Sequence, residues 1–105
     1  MTLFQSSADR ECAWTELKKK VEGCTRCGLC SSRKNTVFGQ GHRNSPLVFI
    51  GEGPGAEEDE QGVAFVGKAG RLLTQILASV GIRREQVFIS NVVKCRPPDN
   101  RVPAP

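Results

Sequence analysis

Two short β-branched runs, "PLVFI" ending at Ile50 and "QVFIS" ending at Ser90, bracket a glycine-dense loop and an apolar-striped segment. Each run is too short for a stable helix and passes into loop-forming residues, so both are read as strands, the first one buried. Between them Leu72, Leu73, Ile76, Leu77 and Val80 recur at helical spacing and give way at Gly81, which predicts a helix with these residues on one face. A strand, a helix and a second strand joined by so long a connection make the strands parallel neighbours, the unit of an open α/β sheet. In such sheets ligands lie beyond the carboxyl ends of the strands. "GEGPG" and "SNVVKC" emerge there, so Glu52 and Asn91 are expected close together.

The rest of the chain is organised around this unit. Trp14, Leu17 and Val21 predict an amphipathic helix over 8–21, closed by Gly23. A cysteine-bearing turn, "GCTRCGLC", follows it, and 31–45 is a polar stretch with no assigned element. After the second strand the prolines of "NVVKCRPPDNRVPAP" exclude a continuing sheet. At 105 residues and 11.4 kDa there is room for one small domain, or part of a larger one. The expected layout is a helical segment over 1–23 and, over 24–105, the cysteine turn with a β-α-β core.

Charge and cysteine usage narrow the partners. The net charge is +4, with basic residues gathered over 18–34 and 94–101 and acids over 57–60. This asymmetry suits a polyanion such as nucleic acid, and a solvated basic face gives the same sum. The N-terminus carries charges where a signal peptide needs an apolar core, and no segment is long and apolar enough for a membrane span. The expectation is a cytoplasmic protein without membrane contact. Five cysteines is an odd number, and clustered thiols in a reducing compartment point to metal rather than to disulfides.

Gly51, Gly53 and Ala56 satisfy the loose G-x-G-x-x-G/A pattern of a dinucleotide site. A phosphate cradle, however, requires a helix N-terminus directly behind its glycines, and the reading places Glu57, Glu58, Asp59 and Glu60 there instead, where they repel phosphate. An uncharged planar group entering edge first suits this loop better. Backbone amides hold it, and a neighbouring carboxylate serves water or proton chemistry. Phe65, among small residues, offers a stacking face, and Asn91 offers a donor and an acceptor together. Taken singly, Phe65 also reads as a core aromatic, Asn91 as a strand-end cap and Glu52 as a solvated turn residue; their joint placement favours the site.

"GEGPGAEEDEQGVAFVGKAG", "VFISNVVKCRPPDNR" and "GCTRCGLC" together resemble the N-terminal half of a family 4, iron-sulfur uracil-DNA glycosylase of bacteria and archaea. The resemblance runs from Cys24 to the last residue. It implies an α/β fold with a central, mainly parallel sheet and the base-excision-repair reaction, hydrolysis of the N-glycosidic bond of deoxyuridine in DNA, with a flipped uracil in the pocket. Under it Glu52 positions the attacking water, the amides of Gly53 and Gly55 approach base and water, and Phe65 stacks on the base. Asn91 accepts from uracil N3–H and donates to O4, and Glu58 closes against C5, where thymine carries its methyl group. Cys24, Cys27 and Cys95 supply three thiolates to a [4Fe-4S] cluster whose fourth ligand lies outside this chain. From spacing alone, zinc is the inorganic alternative. Cys12 and Cys30 are read as structural thiols.

The resemblance carries two departures. Family members commonly have proline before the stacking phenylalanine, whereas this chain has Ala64. The chain also ends before the family's fourth cluster cysteine and before its later histidine motif; His42 stands upstream of the first strand and does not match that motif. The expectation is therefore a monomeric N-terminal fragment, inactive alone. The rival readings are a non-catalytic module that binds uracil-containing DNA, such as one fused to a polymerase, and a metal-cluster scaffold.

Overall fold

The computed structural model describes residues 7–100. Helix α1 (Ser7–Glu22) leads into a single turn at Gly28–Ser31, and a two-residue strand β1 (Gln40–Gly41) precedes β2 (Val48–Gly51). Two helices follow, α2 (Ala56–Gln61) and α3 (Lys68–Ser79), and then β3 (Phe88–Asn91). The sheet order is β1-β3-β2. β2 and β3 are parallel with Gly51 opposite Asn91, whereas β1 runs antiparallel to β3. The expected parallel pair and its helical crossover are present. The sheet over the described residues is mixed, because the polar stretch 31–45 contributes β1, which sequence reading left without an element.

Strand β3 is central and buried along its length, while β2 has only one covered face: Val48 and Ile50 are exposed. The expectation of a buried first strand is thus corrected. Its β-branched composition reflects strand propensity, and burial belongs to the central strand. The stripe on α3 also divides. Leu77 is buried and Leu73 packs on the core, whereas Leu72, Ile76 and Val80 are exposed. Five apolar residues so spaced form an arc wider than one sheet face covers.

The core gathers Val37, Ala64, Leu77, Val87 and Ile89, with Phe49, Phe65, Leu73 and Ile82 packed against it. On the other side of the sheet Trp14 is the anchor of α1, with its ring 5.0 Å from Phe88 and 5.9 Å from Phe38 between centroids. Leu17 is exposed, so α1 docks through a narrow aromatic contact rather than a broad apolar face.

The acidic run behind the glycines is itself helical, which corrects the sequence reading: α2 begins at Ala56, directly after Gly55. Helix formation follows from how its acids are used. Asp59 is buried and accepts from the amides of Lys34 and Asn35 at 2.8 and 3.1 Å, while Asn35 Nδ2 donates back to the Asp59 carbonyl at 2.8 Å. Glu57 pairs with Arg71 at 3.4 Å on the surface.

Candidate functional site

Beyond the carboxyl ends of β2 and β3 the ladder continues for two residues, with Val92 N donating to the Gly51 carbonyl at 2.8 Å and Val93 N to the Glu52 carbonyl at 3.0 Å. The two emerging loops are thereby held side by side. In the angle between them lies a cavity of about 220 Å³ lined by Gly53, Gly55, Glu58, Phe65, Ala69, Gly70 and Asn91. This is below the roughly 300–1,000 Å³ of pockets for drug-sized ligands and suits one small ring rather than a dinucleotide.

Five residues singled out from sequence, Gly53, Gly55, Glu58, Phe65 and Asn91, thus share one cavity. Asn91 is 3 % exposed. Its oxygen and the Phe65 ring converge on Gly51, where an added Cβ would lie 2.5 Å from Asn91 Oδ1 and 2.6 Å from Phe65 Cζ. Gly51 therefore lets the Asn91 and Phe65 side chains close over the strand end, a role that sequence reading did not assign. At Gly53 a Cβ would meet Val93 Cγ2 at 2.6 Å, which keeps the loop against the strand end.

Glu52 stands at the same strand end but is exposed and is not among the lining residues. Glu58 lines the cavity, with its carboxylate committed to backbone: it accepts from Gly55 N at 3.0 Å, Val66 N at 2.9 Å and Gly67 N at 2.6 Å. Burial opposes its ionisation, and the amides of Gly67, Gly55 and Val66 outweigh burial, holding the carboxyl below its ordinary range. The α2 N-terminal amide at Gly55 is taken by this side chain. A phosphate cradle is excluded here by the occupied amide and the acids around it, not by lack of a helix.

On the opposite side of β3, Lys94 donates to the Ser90 hydroxyl and, at 2.6 Å, to the Asn91 carbonyl. Ser90 in turn donates to the Phe38 carbonyl at 2.8 Å. Burial lowers the Lys94 pKa. This network fixes the backbone that carries Asn91 and was not legible in the sequence. His42 lies past β1, its Nδ1 accepting from Asn44 N at 3.0 Å, and it does not line the cavity.

The cysteines are free thiols: Cys12 and Cys27 are exposed, Cys24 and Cys30 half-buried, and Cys95 buried. Arg33 joins two of the segments, its Nη1 donating to the Cys24 carbonyl at 2.7 Å and to Cys95 Sγ at 3.0 Å. Among the described residues no group of three or more histidine, cysteine or acidic side chains is arranged to hold a metal ion. The cysteine turn and the "KCRPP" loop are brought to one place, with a guanidinium between them. No helix among the described residues is long and apolar enough to cross a membrane.

Residues 38–105 match the family described as the Uracil DNA glycosylase superfamily. The chain is 55% identical over 89 residues to a type-4 uracil-DNA glycosylase of Thermotoga maritima, covering 85% of this chain and 46% of that protein. It is 49% identical over 90 residues to the type-4 uracil-DNA glycosylase of Archaeoglobus fulgidus, covering 86% of this chain and 45% of the relative. With the type-4 uracil-DNA glycosylase of Pyrobaculum aerophilum the identity is 51% over 88 residues, covering 84% and 45%. The chain thus spans about half the length of the curated relatives it matches.

Proposed function

The chain belongs to the uracil-DNA glycosylase superfamily, and from that premise we propose that the protein containing it hydrolyses the N-glycosidic bond of deoxyuridine in DNA and releases uracil. The observation that carries this reading is a small cavity at the ends of two parallel strands, which gathers Gly53, Gly55, Phe65 and Asn91. Uracil presents a flat face, a donor at N3 and an acceptor at O4. An aromatic wall, a buried carboxamide and glycine backbone complement those features. Cytosine presents the reverse pattern on the same edge, so an Asn91 carboxamide held with its oxygen toward N3 discriminates by hydrogen bonding.

In the proposed reaction the C1′–N1 bond breaks with its electron pair leaving on uracil, water adds to the oxocarbenium-like sugar, and the proton that the water loses is balanced by protonation of the uracil anion. Glu52, exposed beside the cavity mouth, orients that water and offsets the positive charge on the sugar. The amide of Gly53 contacts the base and the water, and Gly55, whose own amide is held by Glu58, lines the wall beside them. Among the described residues no histidine or cationic side chain lines the cavity to stabilise the departing anion. The substrate is uracil-containing DNA, and the reaction belongs to base excision repair.

A [4Fe-4S] cluster held by Cys24, Cys27, Cys95 and a fourth ligand outside this chain is the cofactor we propose. Three thiols on two segments already tied by Arg33 are chemically suited to it, and zinc is the alternative. When bound, the cluster pins these segments together.

Release of free uracil from a labelled oligonucleotide by the full-length protein tests the reading. Uracil accumulating beyond one equivalent per protein supports it. Tight binding without release would instead identify a base-recognising module.

A further inference from the structure

Phe65 carries its large side chain on a left-handed backbone, with φ of 53°. For an L residue of this size that conformation is disfavoured by contact between Cβ and the backbone, so the surrounding structure must hold it. Residues 64–67 are gripped from two sides. Glu58 takes the amides of Val66 and Gly67 at 2.9 and 2.6 Å. On the other side Arg84 donates through Nη2 to the Ala64 carbonyl at 2.8 Å and through Nη1 to the Phe65 carbonyl. The same guanidinium reaches Thr74 Oγ1 at 3.2 Å and so ties the turn to α3.

Close helix packing completes the grip. An added Cβ at Gly70 would lie 1.9 Å from the Phe65 carbonyl oxygen, so only glycine lets α3 approach this far. Glu58 also holds Gly55 N, which couples the turn carrying Phe65 to the glycine loop across the cavity. Arg84 is not among the cavity-lining residues.

We propose that Arg84, acting with Glu58, is a positioning residue: it locks Phe65 in its left-handed conformation and thereby fixes the ring as the wall on which the base stacks. This rests on the reading of the cavity as the uracil pocket. Arg84 touches no DNA in this scheme. A forked donor is needed because two successive carbonyls must be held at once, which a lysine ammonium does with poorer geometry.

A double-mutant cycle in the full-length protein tests it, with single-turnover excision and thermal unfolding measured on wild type, Arg84→Ala, Phe65→Ala and the double variant. Arg84→Ala is expected to slow excision at saturating DNA by about 10-fold or more with binding of the DNA little changed, and Arg84→Lys to recover only part of the rate. On the Phe65→Ala background the further loss of rate is expected to shrink to under about twofold, while the loss in Tm is the same on both backgrounds. A full rate penalty on the Phe65→Ala background would overturn the proposal, since Arg84 would then act by another route. If Arg84→Ala does not fold, the same cycle with Arg84→Lys decides in the same way. Unchanged excision by Phe65→Ala alone would overturn the pocket reading itself, an outcome seen before Arg84 is altered.

Discussion

The acidic run beside the cavity and the thiols of the cysteine turn are both dense clusters of one polar chemistry, and the fold uses them differently. Glu58 and Asp59 direct their carboxylates to backbone amides on neighbouring segments, Glu58 at the wall of the cavity and Asp59 away from it, against Lys34 and Asn35. The cysteine segments are joined by Arg33, with Cys27 exposed and Cys95 buried as free thiols. A base pocket has to be shaped before its ligand arrives, because an error in placing a stacking ring or a carboxamide is lost recognition. A metal centre can take its final geometry from the bonds the metal supplies. The contrast is between a proposed base site preorganised by hydrogen bonds and a proposed metal site whose thiols are not gathered into a coordinating group among the described residues.

The strongest way to break that contrast is to remove a thiol. Full-length protein purified anaerobically is expected to contain iron and sulfide, with the iron lost in Cys24→Ala or Cys95→Ala and retained in Cys12→Ala, as elemental analysis will show. A colourless protein with one zinc per chain would replace the cluster by a zinc site.

Glu52→Ala is expected to lower single-turnover excision by about 10²–10⁴-fold, the range for a group that orients a reacting water, with little change in DNA binding. It separates the exposed carboxylate proposed to serve chemistry from those that serve structure.

Asn91→Asp keeps an acceptor and loses the donor to O4. It is expected to cost about 1–3 kcal/mol in transition-state stabilisation on uracil, read from the ratio of kcat/KM values.

The smallest effect sharpens the account of Glu58. Its carboxyl titrates below the ordinary value of 4.5 in the folded state, so the stabilisation it provides is fully present above that value. It is lost as pH falls from there through the lower folded value. Glu58→Gln is expected to flatten the decline of Tm in that acid window while lowering Tm at neutral pH.

Sequence reading reached the framework of this fold because its signals were local. The apolar runs ending at Ile50 and Ser90 and the stripe from Leu72 to Val80 gave the parallel pair and its crossover, and the ends of the strands gave the place of the cavity. What escaped it depends on partners distant in the chain. β1 is two residues long and exists because β3 offers an open edge at Phe88 and Ile89. Sequence reading places the acids of α2 in the glycine-dense loop rather than in a helix, because nothing in "EEDE" reveals that Asp59 accepts from the amides of Lys34 and Asn35. Arg84 sits in an ordinary basic pair, "RR", and its grip on Ala64 and Phe65 depends on how α3 turns back to the sheet. The left-handed Phe65 leaves no mark in composition, although its run of small neighbours hinted at an exposed ring.

The central claim is that the cavity between Gly53, Phe65 and Asn91 holds uracil, and a crystal structure of the full-length protein with bound uracil tests it most directly. The expected result is a ring lying against Phe65, with the Asn91 carboxamide on its N3–O4 edge and the backbone of Gly53 to Gly55 beside it. Uracil bound elsewhere, with this cavity filled by water or side chain, would contradict the account.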